Sequence, residues 1–468
     1  MKRQWVMGVA AFAVLMMGSV AAPKNFIIIF TDDQGYGDLG CFGSPRVPTP
    51  NIDQMAKEGL KLTSFYTASS VCSPSRAALL TGRMPKRAGV PKVLFPRSQD
   101  GLPADEITIA ELLKQKDYAT ALVGKWHLGH KKPYLPTNQG FDSYFGVPYS
   151  NDMSIAKELA IAPDIQFNSG WTRQRLESDW VQYQKDYKSM KDYVPLMRDE
   201  EVIEYPADQA HLTQRYTEEA VKFIKENREQ PFFLYMAHTM PHTPFFVSED
   251  FTDKTGHGLY CDSLAEIDWS VGQVIDAVKS NGLTDDTLIL YTSDNGPAKG
   301  SRPSGSHSSD QSPSAGPLRG YKFETFEGGQ RVGTVAWSPG MIAAGQESDE
   351  MASTLDLFPT LAGLAGAELP DGHVLDGYSL VDFLSGESAV SPRDTMYYYK
   401  ANSTEIDGIR VGDWKYLITG SRGKPKPMLF NLKEDLGERN NLITQHPEKA
   451  EALKKAMMEF DASIAVSE

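Results

Sequence analysis

Two adjacent carboxylates, Asp32 and Asp33, close the apolar run in NFIIIFTDDQGYGD, and Asp294 and Asn295 close another in TLILYTSDNG. Neighbouring carboxylates repel unless a cation sits between them, and together the two pairs make a set of oxygen donors. Hard oxygen ligands suit Ca²⁺ or Mg²⁺ rather than a thiolate-seeking metal. Each pair alone is also an ordinary turn sequence; both at the ends of buried strands point to a metal. Lys125 and His127 lie two apart in GKWHLG, so an extended chain aims them to one side. Histidine is the usual acid or base near neutral pH, and lysine binds oxyanions as a point charge. His238 and His242 follow a third apolar run, PFFLYM, and Lys322 lies in RGYKFETFEGGQR. Cys72 precedes Pro74, Ser75 and Arg76, where AALLTGR reads as the start of a helix. A helix start favours anions, so a thiolate nucleophile is one reading of Cys72. No local cysteine-protease signature accompanies it.

These groups need strands to position them. Asn25–Thr31, Tyr118–Val123, Pro231–Met236, Thr287–Thr292 and Val332–Trp337 are short apolar runs of the kind buried in a parallel sheet. Helical patterns alternate with them at Ile52–Gly59, Thr108–Lys116, Ala210–Asn227 and Tyr260–Asn281. Strand alternating with helix predicts an α/β fold whose large, mostly parallel sheet is flanked by helices. Ligands of open α/β sheets bind beyond the carboxyl ends of the strands, where Asp32, Lys125, His238 and Asp294 fall. Past Leu384 the texture changes. Tyr397–Lys400, Gly408–Val411, Trp414–Ile418, Met428–Asn431 and a helix over Pro447–Ser463 predict a smaller domain with an antiparallel sheet and one helix. The expected division is 22–385 for the catalytic domain and 386–468 for the smaller one. Ser150–Pro206, with Trp171, Trp180, Tyr183, Tyr187 and Tyr193, and the Ser/Gly/Pro-rich Lys299–Pro317 read as long loops.

Residues 1–21 carry the marks of a secretory signal: Lys2 and Arg3, an apolar run from Val6, and small residues at Ser19 and Ala21. The expectation is export to the periplasm or beyond the cell, with no membrane association after cleavage. A net charge of −14 argues against nucleic acid as a partner. Three cysteines make no disulfide framework; Cys41 and Cys261 could pair, or both remain free thiols.

The motifs together resemble the type I, formylglycine-dependent sulfatases of the alkaline phosphatase superfamily, close in pattern to arylsulfatases. The resemblance runs through NFIIIFTDDQGYGDLGCFG, TPNIDQMAKEG, CSPSRAALLTGR, GKWHLG, VPYSND, PHTPF, TSDNG, PLRGYKFETFEGGQR, LDLFPTLAGLAG and LFNLKEDLGERNNL. It implies that Cys72 is converted to Cα-formylglycine by a formylglycine-generating enzyme. It further implies that Asp32, Asp33, Asp294 and Asn295, with the modified Cys72, hold a divalent cation, most often Ca²⁺, with Mg²⁺ the other choice. In the same way Arg76 would steady the formylglycine and His127 would take a proton from it. Lys125, Lys322 and His242 would hold the sulfate, with Lys322 or His242 assisting the leaving oxygen. Ser150 matches a serine of the sulfate site, and Asn151 and His238 would bind substrate or support that site. Two departures stand out. The family's lysine motif often continues Lys-Gly, where this chain has Lys322-Phe323, and relatives often carry histidine where Asn151 stands.

The resemblance implies hydrolysis of sulfate monoesters, with a sulfated poly- or oligosaccharide as the expected substrate. Other readings are an arylsulfatase for small aryl sulfates, a phosphoester or phosphonate monoester hydrolase, a non-catalytic carbohydrate-binding relative, and an enzyme using unmodified Cys72. The aromatic residues of Ser150–Pro206 could stack on sugar rings, or pack that stretch onto the domain.

Overall fold

The computed structural model describes residues 22–185, 193–299, 313–369, 372–419 and 424–464. The proposed signal, most of the Ser/Gly/Pro-rich stretch and Tyr187 lie outside them.

Asn25–Thr31 (β1) is buried along its whole length, as its unbroken apolar pattern requires. The other strands of the large sheet are β2 (Leu60–Tyr66), β3 (Ala119–Gly124), β4 (Ser143–Gly146), β5 (Ala160–Phe167), β6 (Leu196–Arg198) and β7 (Glu201–Tyr205). They continue with β8 (Phe232–Ala237), β9 (Thr287–Ser293), β10 (Arg331–Trp337), β11 (Gln346–Ser348) and β12 (Ala352–Ser353). The order is β11-β2-β10-β9-β1-β8-β3-β4-β6-β7-β5, with β12 also on β2. Its centre, β9-β1-β8-β3, is parallel, so four carboxyl ends open on one edge. β10 departs from the expected parallel set and runs antiparallel to both β2 and β9. An apolar run fixes burial, not direction, and among the described residues the one helix between β9 and β10 is the four-residue Glu327–Gln330, too short for a crossover.

Helices α1 (Pro50–Glu58), α2 (Cys72–Thr81), α3 (Ile109–Lys114), α4 (Arg173–Lys185), α5 (Leu212–Glu226) and α6 (Leu259–Ser280) accompany the first nine strands. Later come α7 (Glu327–Gln330), α8 (Leu357–Ala365), α9 (Val381–Leu384) and α10 (Pro447–Ser463). One face of the sheet packs against α2, α3 and α8, and the other against α1, α5 and α6, each with its own apolar core. The stretch Ser150–Pro206 is not one long loop. It carries β5, α4, β6 and β7, and Trp171 packs edge-on against Tyr205 and Tyr193 at centroid distances of 4.8 and 5.2 Å.

The smaller sheet, β13 (Thr395–Tyr399), β14 (Ile406–Val411), β15 (Trp414–Thr419) and β16 (Lys426–Asn431), is a fully antiparallel meander. α10 covers it, and their shared apolar cluster takes in Ala78 on α2 and Tyr66 on β2. Cys41 and Cys261 are free thiols. Among the described residues no helix is long and apolar enough to cross a membrane.

Candidate active site

α2 begins at Cys72 and is buried on every side, as the Ala-Ala-Leu-Leu run dictates. Pro74 sits in its first turn, where a missing N–H costs nothing. Gly82, at φ +66°, ends it by donating its N–H to the Ala78 carbonyl at 2.9 Å. The helix therefore holds Cys72 at a fixed point and sets Arg76 one turn deeper.

The parallel strands bring the predicted groups to that point. Asp32 follows β1, Lys125 follows β3 and Asp294 follows β9. The Lys125 and Asp294 N–H groups donate to the Ala237 and Thr31 carbonyls at 2.7 and 3.0 Å. Gly124, at φ +115°, permits this approach, since a Cβ there would lie 1.9 Å from the Ala237 oxygen.

Lys125 Nζ contacts Asp32 Oδ2, and Lys322 Nζ lies 2.6 Å from Asp33 Oδ1. Arg76 donates through Nε and Nη2 to Asp294 Oδ2 at 3.1 and 2.8 Å, and through Nη1 to the Lys125 carbonyl at 3.0 Å. Asn295 Nδ2 donates to Asp33 Oδ1 at 2.8 Å. Three buried carboxylates thus face three buried cations.

The donor set fits a hard cation. Asp32 Oδ1, Asp33 Oδ2 and Asn295 Oδ1 are buried oxygens without a hydrogen-bond partner among the described residues. Leaving such oxygens unpaired is costly unless an ion completes them. Asp32, Asp33 and His242 also offer ligand atoms within 4.8 Å of one another. Asp294 has both oxygens engaged, one by Arg76 and one by the Asp33 N–H at 3.2 Å, but each keeps a lone pair. Burial pushes Asp32 up, yet Lys125, His242, Arg76 and Lys322 outweigh it and hold the carboxyl below its usual range. Burial and the Asp32 charge push Asp294 the other way.

His127 has φ +62°, a conformation uncommon outside glycine. Its Nε2 faces the Leu94 carbonyl at 2.8 Å, which can only accept, so Nε2 carries the proton. Nδ1 is then the open basic nitrogen, with no partner among the described residues. Burial, then Lys125 and Arg76, drive His127 well below the ordinary histidine value, so the ring is neutral. His242 Nδ1 lies 2.6 Å from the Thr243 carbonyl and 3.0 Å from Asn151 Oδ1, while Ser150 Oγ lies 3.3 Å from the ring. Ser150 and Asn151 thus join the cluster through His242. Burial raises the Cys72 thiol despite Lys125 and Lys322.

His238 is not brought into the cluster. Its Nε2 faces Ser270 Oγ on α6 at 3.5 Å, and its ring faces Tyr216 on α5. Alternation along the strand sends it to the other face of the sheet. Sequence reading missed the Leu94 carbonyl, Ser73 and Phe95, since nothing in VLFPRS signals a position beside His127.

A buried cluster of three cations beside carboxylates suits one class of chemistry, displacement at the central atom of a small anionic ester. The sulfatase family model matches residues 24–367, and one described as N-sulphoglucosamine sulphohydrolase, C-terminal, matches residues 322–463. Human arylsulfatase A is 38% identical over 95% of this chain and 90% of its own length. Mouse N-acetylgalactosamine-6-sulfatase is 34% identical over 97% and 88%. The crystal structure of Ps i-CgsB in complex with k-i-k-neocarrahexaose superposes with a TM-score of 0.79 and 29% identity, covering 94% of this chain and 93% of that one. The chain belongs to the sulfatase family, with the alkaline phosphatase-like fold, and is a sulfuric ester hydrolase.

Proposed function

We propose that the protein hydrolyses sulfate monoesters of a carbohydrate, using Cα-formylglycine made from Cys72 and a divalent cation. The observation that carries this is that Lys125, Lys322 and Arg76, paired with Asp32, Asp33 and Asp294, act electrostatically on Cys72 at the start of α2, beside buried oxygens that lack partners among the described residues. Asp32, Asp33, Asp294 and Asn295 would hold the cation, Ca²⁺ in preference to Mg²⁺, and bound there it would polarise the sulfate oxygens. Formylglycine would supply, as its hydrate, one hydroxyl to attack sulfur and a second whose deprotonation expels sulfate and restores the aldehyde.

This chain's own side chains do the rest. Lys125 and Lys322 neutralise the sulfate oxygens, and burial, which would discharge Lys322, is outweighed by the Asp33 carboxylate beside it. His127 Nδ1 receives the proton of the second hydroxyl. His242 donates Nδ1–H toward the Thr243 carbonyl and Asn151 Oδ1, which leaves Nε2 a lone pair, so Lys322 rather than His242 supplies the proton the leaving oxygen needs. Arg76 fixes Asp294 and the Lys125 backbone, so the donors are arranged before substrate arrives. An unmodified thiol would be protonated here by burial, and once sulfated it would have no second hydroxyl to expel the product.

Carbohydrate as the natural substrate is supported by the neocarrahexaose bound in the Ps i-CgsB structure and by the N-acetylgalactosamine-6-sulfatase likeness. Aryl sulfates would also be turned over, in line with the likeness to arylsulfatase A. The test is released sulfate from a panel of sulfated oligosaccharides, with p-nitrophenyl sulfate and p-nitrophenyl phosphate alongside. Cys72→Ala should abolish release. Equal release by this variant, or preference for the phosphate ester, would overturn the reading.

A further inference from the structure

Two phenyl rings next in sequence to groups of the site, Phe95 beside Leu94 and Phe323 beside Lys322, are left in solvent by folding. Phe95 is 54% exposed and Phe323 57%, although burying such rings is what ordinarily stabilises a fold. A single exposed ring is unremarked on any surface. These two are fastened to opposite ends of the segment that carries Cys72. The Phe323 N–H donates to the Ser70 carbonyl at 3.0 Å, and the Leu94 N–H, next to Phe95, donates to Ser73 Oγ at 3.1 Å.

Neither ring sits on a slack loop. Phe95 donates its N–H to Ser98 Oγ and accepts from the Ser98 N–H, both at 2.8 Å. The Val93 N–H donates to Asn402 Oδ1 at 2.8 Å, and the Leu94 carbonyl holds His127. Phe323 adopts φ +74°, an outlier for a bulky residue, and its ring centre lies 5.7 Å from Lys322 Nζ. Strain held in place beside a functional ammonium goes with function rather than with packing.

We propose that Phe95 and Phe323 are a specificity clamp for the leaving-group alcohol of the sulfate ester. The clamp takes a ring with a flat apolar face, either the C–H face of a pyranose or an aryl ring. This rests on the sulfatase reading. It assigns recognition of the alcohol to two rigid rings outside the charged pocket, leaving the lysines and the cation site to recognise the sulfate. Of the aromatic side chains of the 150–206 stretch, Trp171 is buried and Trp180 and Tyr193 are half-buried against the core, so none of these stands in solvent as Phe95 and Phe323 do.

The experiment compares wild type with Phe95→Ala, Phe323→Gly and Phe323→Tyr. Glycine removes the ring while accepting the positive φ; tyrosine keeps the ring. Steady-state kinetics are measured with p-nitrophenyl sulfate and with a 6-sulfated N-acetylhexosamine, together with the inhibition constant of inorganic sulfate and the melting temperature. Loss of either ring should lower kcat/KM roughly two- to tenfold, mainly through KM, on at least one ester. Phe323→Tyr should stay close to wild type, and inhibition by inorganic sulfate should not change. The ester that loses more identifies the ring the clamp accepts. Unchanged kinetics on both esters, or an equal weakening of inorganic sulfate, would overturn the clamp while leaving the sulfatase reading intact. If wild type hydrolysed neither ester, that reading would fail and the clamp with it.

Discussion

The bond from His127 Nε2 to the Leu94 carbonyl determines which nitrogen of the ring can accept a proton. His127→Ala should lower kcat by about 10²–10⁴, the usual range for a general acid or base. Pre-steady-state product release separates the two half-reactions: the first turnover should survive better than the steady-state rate. Equal loss in both would remove His127 from the second step. Lys322 is buried and paired with Asp33, and in the proposed mechanism it holds the sulfate. Lys322→Ala should cost about 10²–10³ in kcat/KM, the usual effect of losing one preorganised donor, with kcat and KM measured on p-nitrophenyl sulfate. Most of this cluster was legible in the sequence because β1, β3 and β9 are nearly unbroken apolar runs, and such runs end where the sheet meets solvent. His238 ends β8 by the same pattern yet faces α5 and α6, because a shift of one residue exchanges the two faces.

At the scale of elements, the smaller sheet reaches under the Lys322 loop. Thr325 Oγ1 donates to Asp407 Oδ2 on β14 at 2.5 Å. Glu327, at the start of α7, takes Lys415 of β15 at 2.8 Å, and Lys415 also meets Glu438 at 3.0 Å, all three fully buried. Burial would raise Glu327, but Lys415, Arg331 and Arg410 hold it below its ordinary value. Removing one member of such a group strands the others, at about 3–5 kcal/mol. Lys415→Met should therefore lower the melting temperature strongly, and Glu327→Gln in the same chain should recover part of the loss; additive losses would show the charges are not coupled. The sequence indicated the smaller sheet and α10 through short runs parted by turn residues. It did not indicate β2, whose LKLTSFY alternates with polar residues, or β5, interrupted by Pro163 and mostly solvent-facing. β5 ends the sheet and mostly faces solvent, so it carries little apolar signal, whereas β2 is internal and is hidden only by its polar alternation.

At the scale of the whole molecule, stability should follow both pH and cation. Glu266, within α6, is fully buried, and its one hydrogen-bond donor among the described residues is the Ser248 N–H at 3.2 Å. Burial pushes it up to about 7, with the Ser248 contacts opposing. The folded protein then binds a proton that the unfolded chain has released, so this stabilisation is full below about pH 4.5 and fades as pH rises through about 7. Glu266→Gln should flatten the fall in melting temperature between pH 5 and 8, by on the order of 1–3 kcal/mol; an unchanged profile would exclude the residue. Chelation with EGTA should lower both activity and melting temperature, and added Ca²⁺ should restore them; about 2.7 kcal/mol is expected at a hundredfold excess over Kd. The central claim, that Cys72 acts as formylglycine, is tested most directly by mass spectrometry of the tryptic peptide spanning residues 62–76. The protein is produced with and without a formylglycine-generating enzyme, and sulfate release is measured on the same samples. The account predicts an aldehyde mass in place of the thiol, in proportion to activity. A fully active protein whose Cys72 is intact would contradict it.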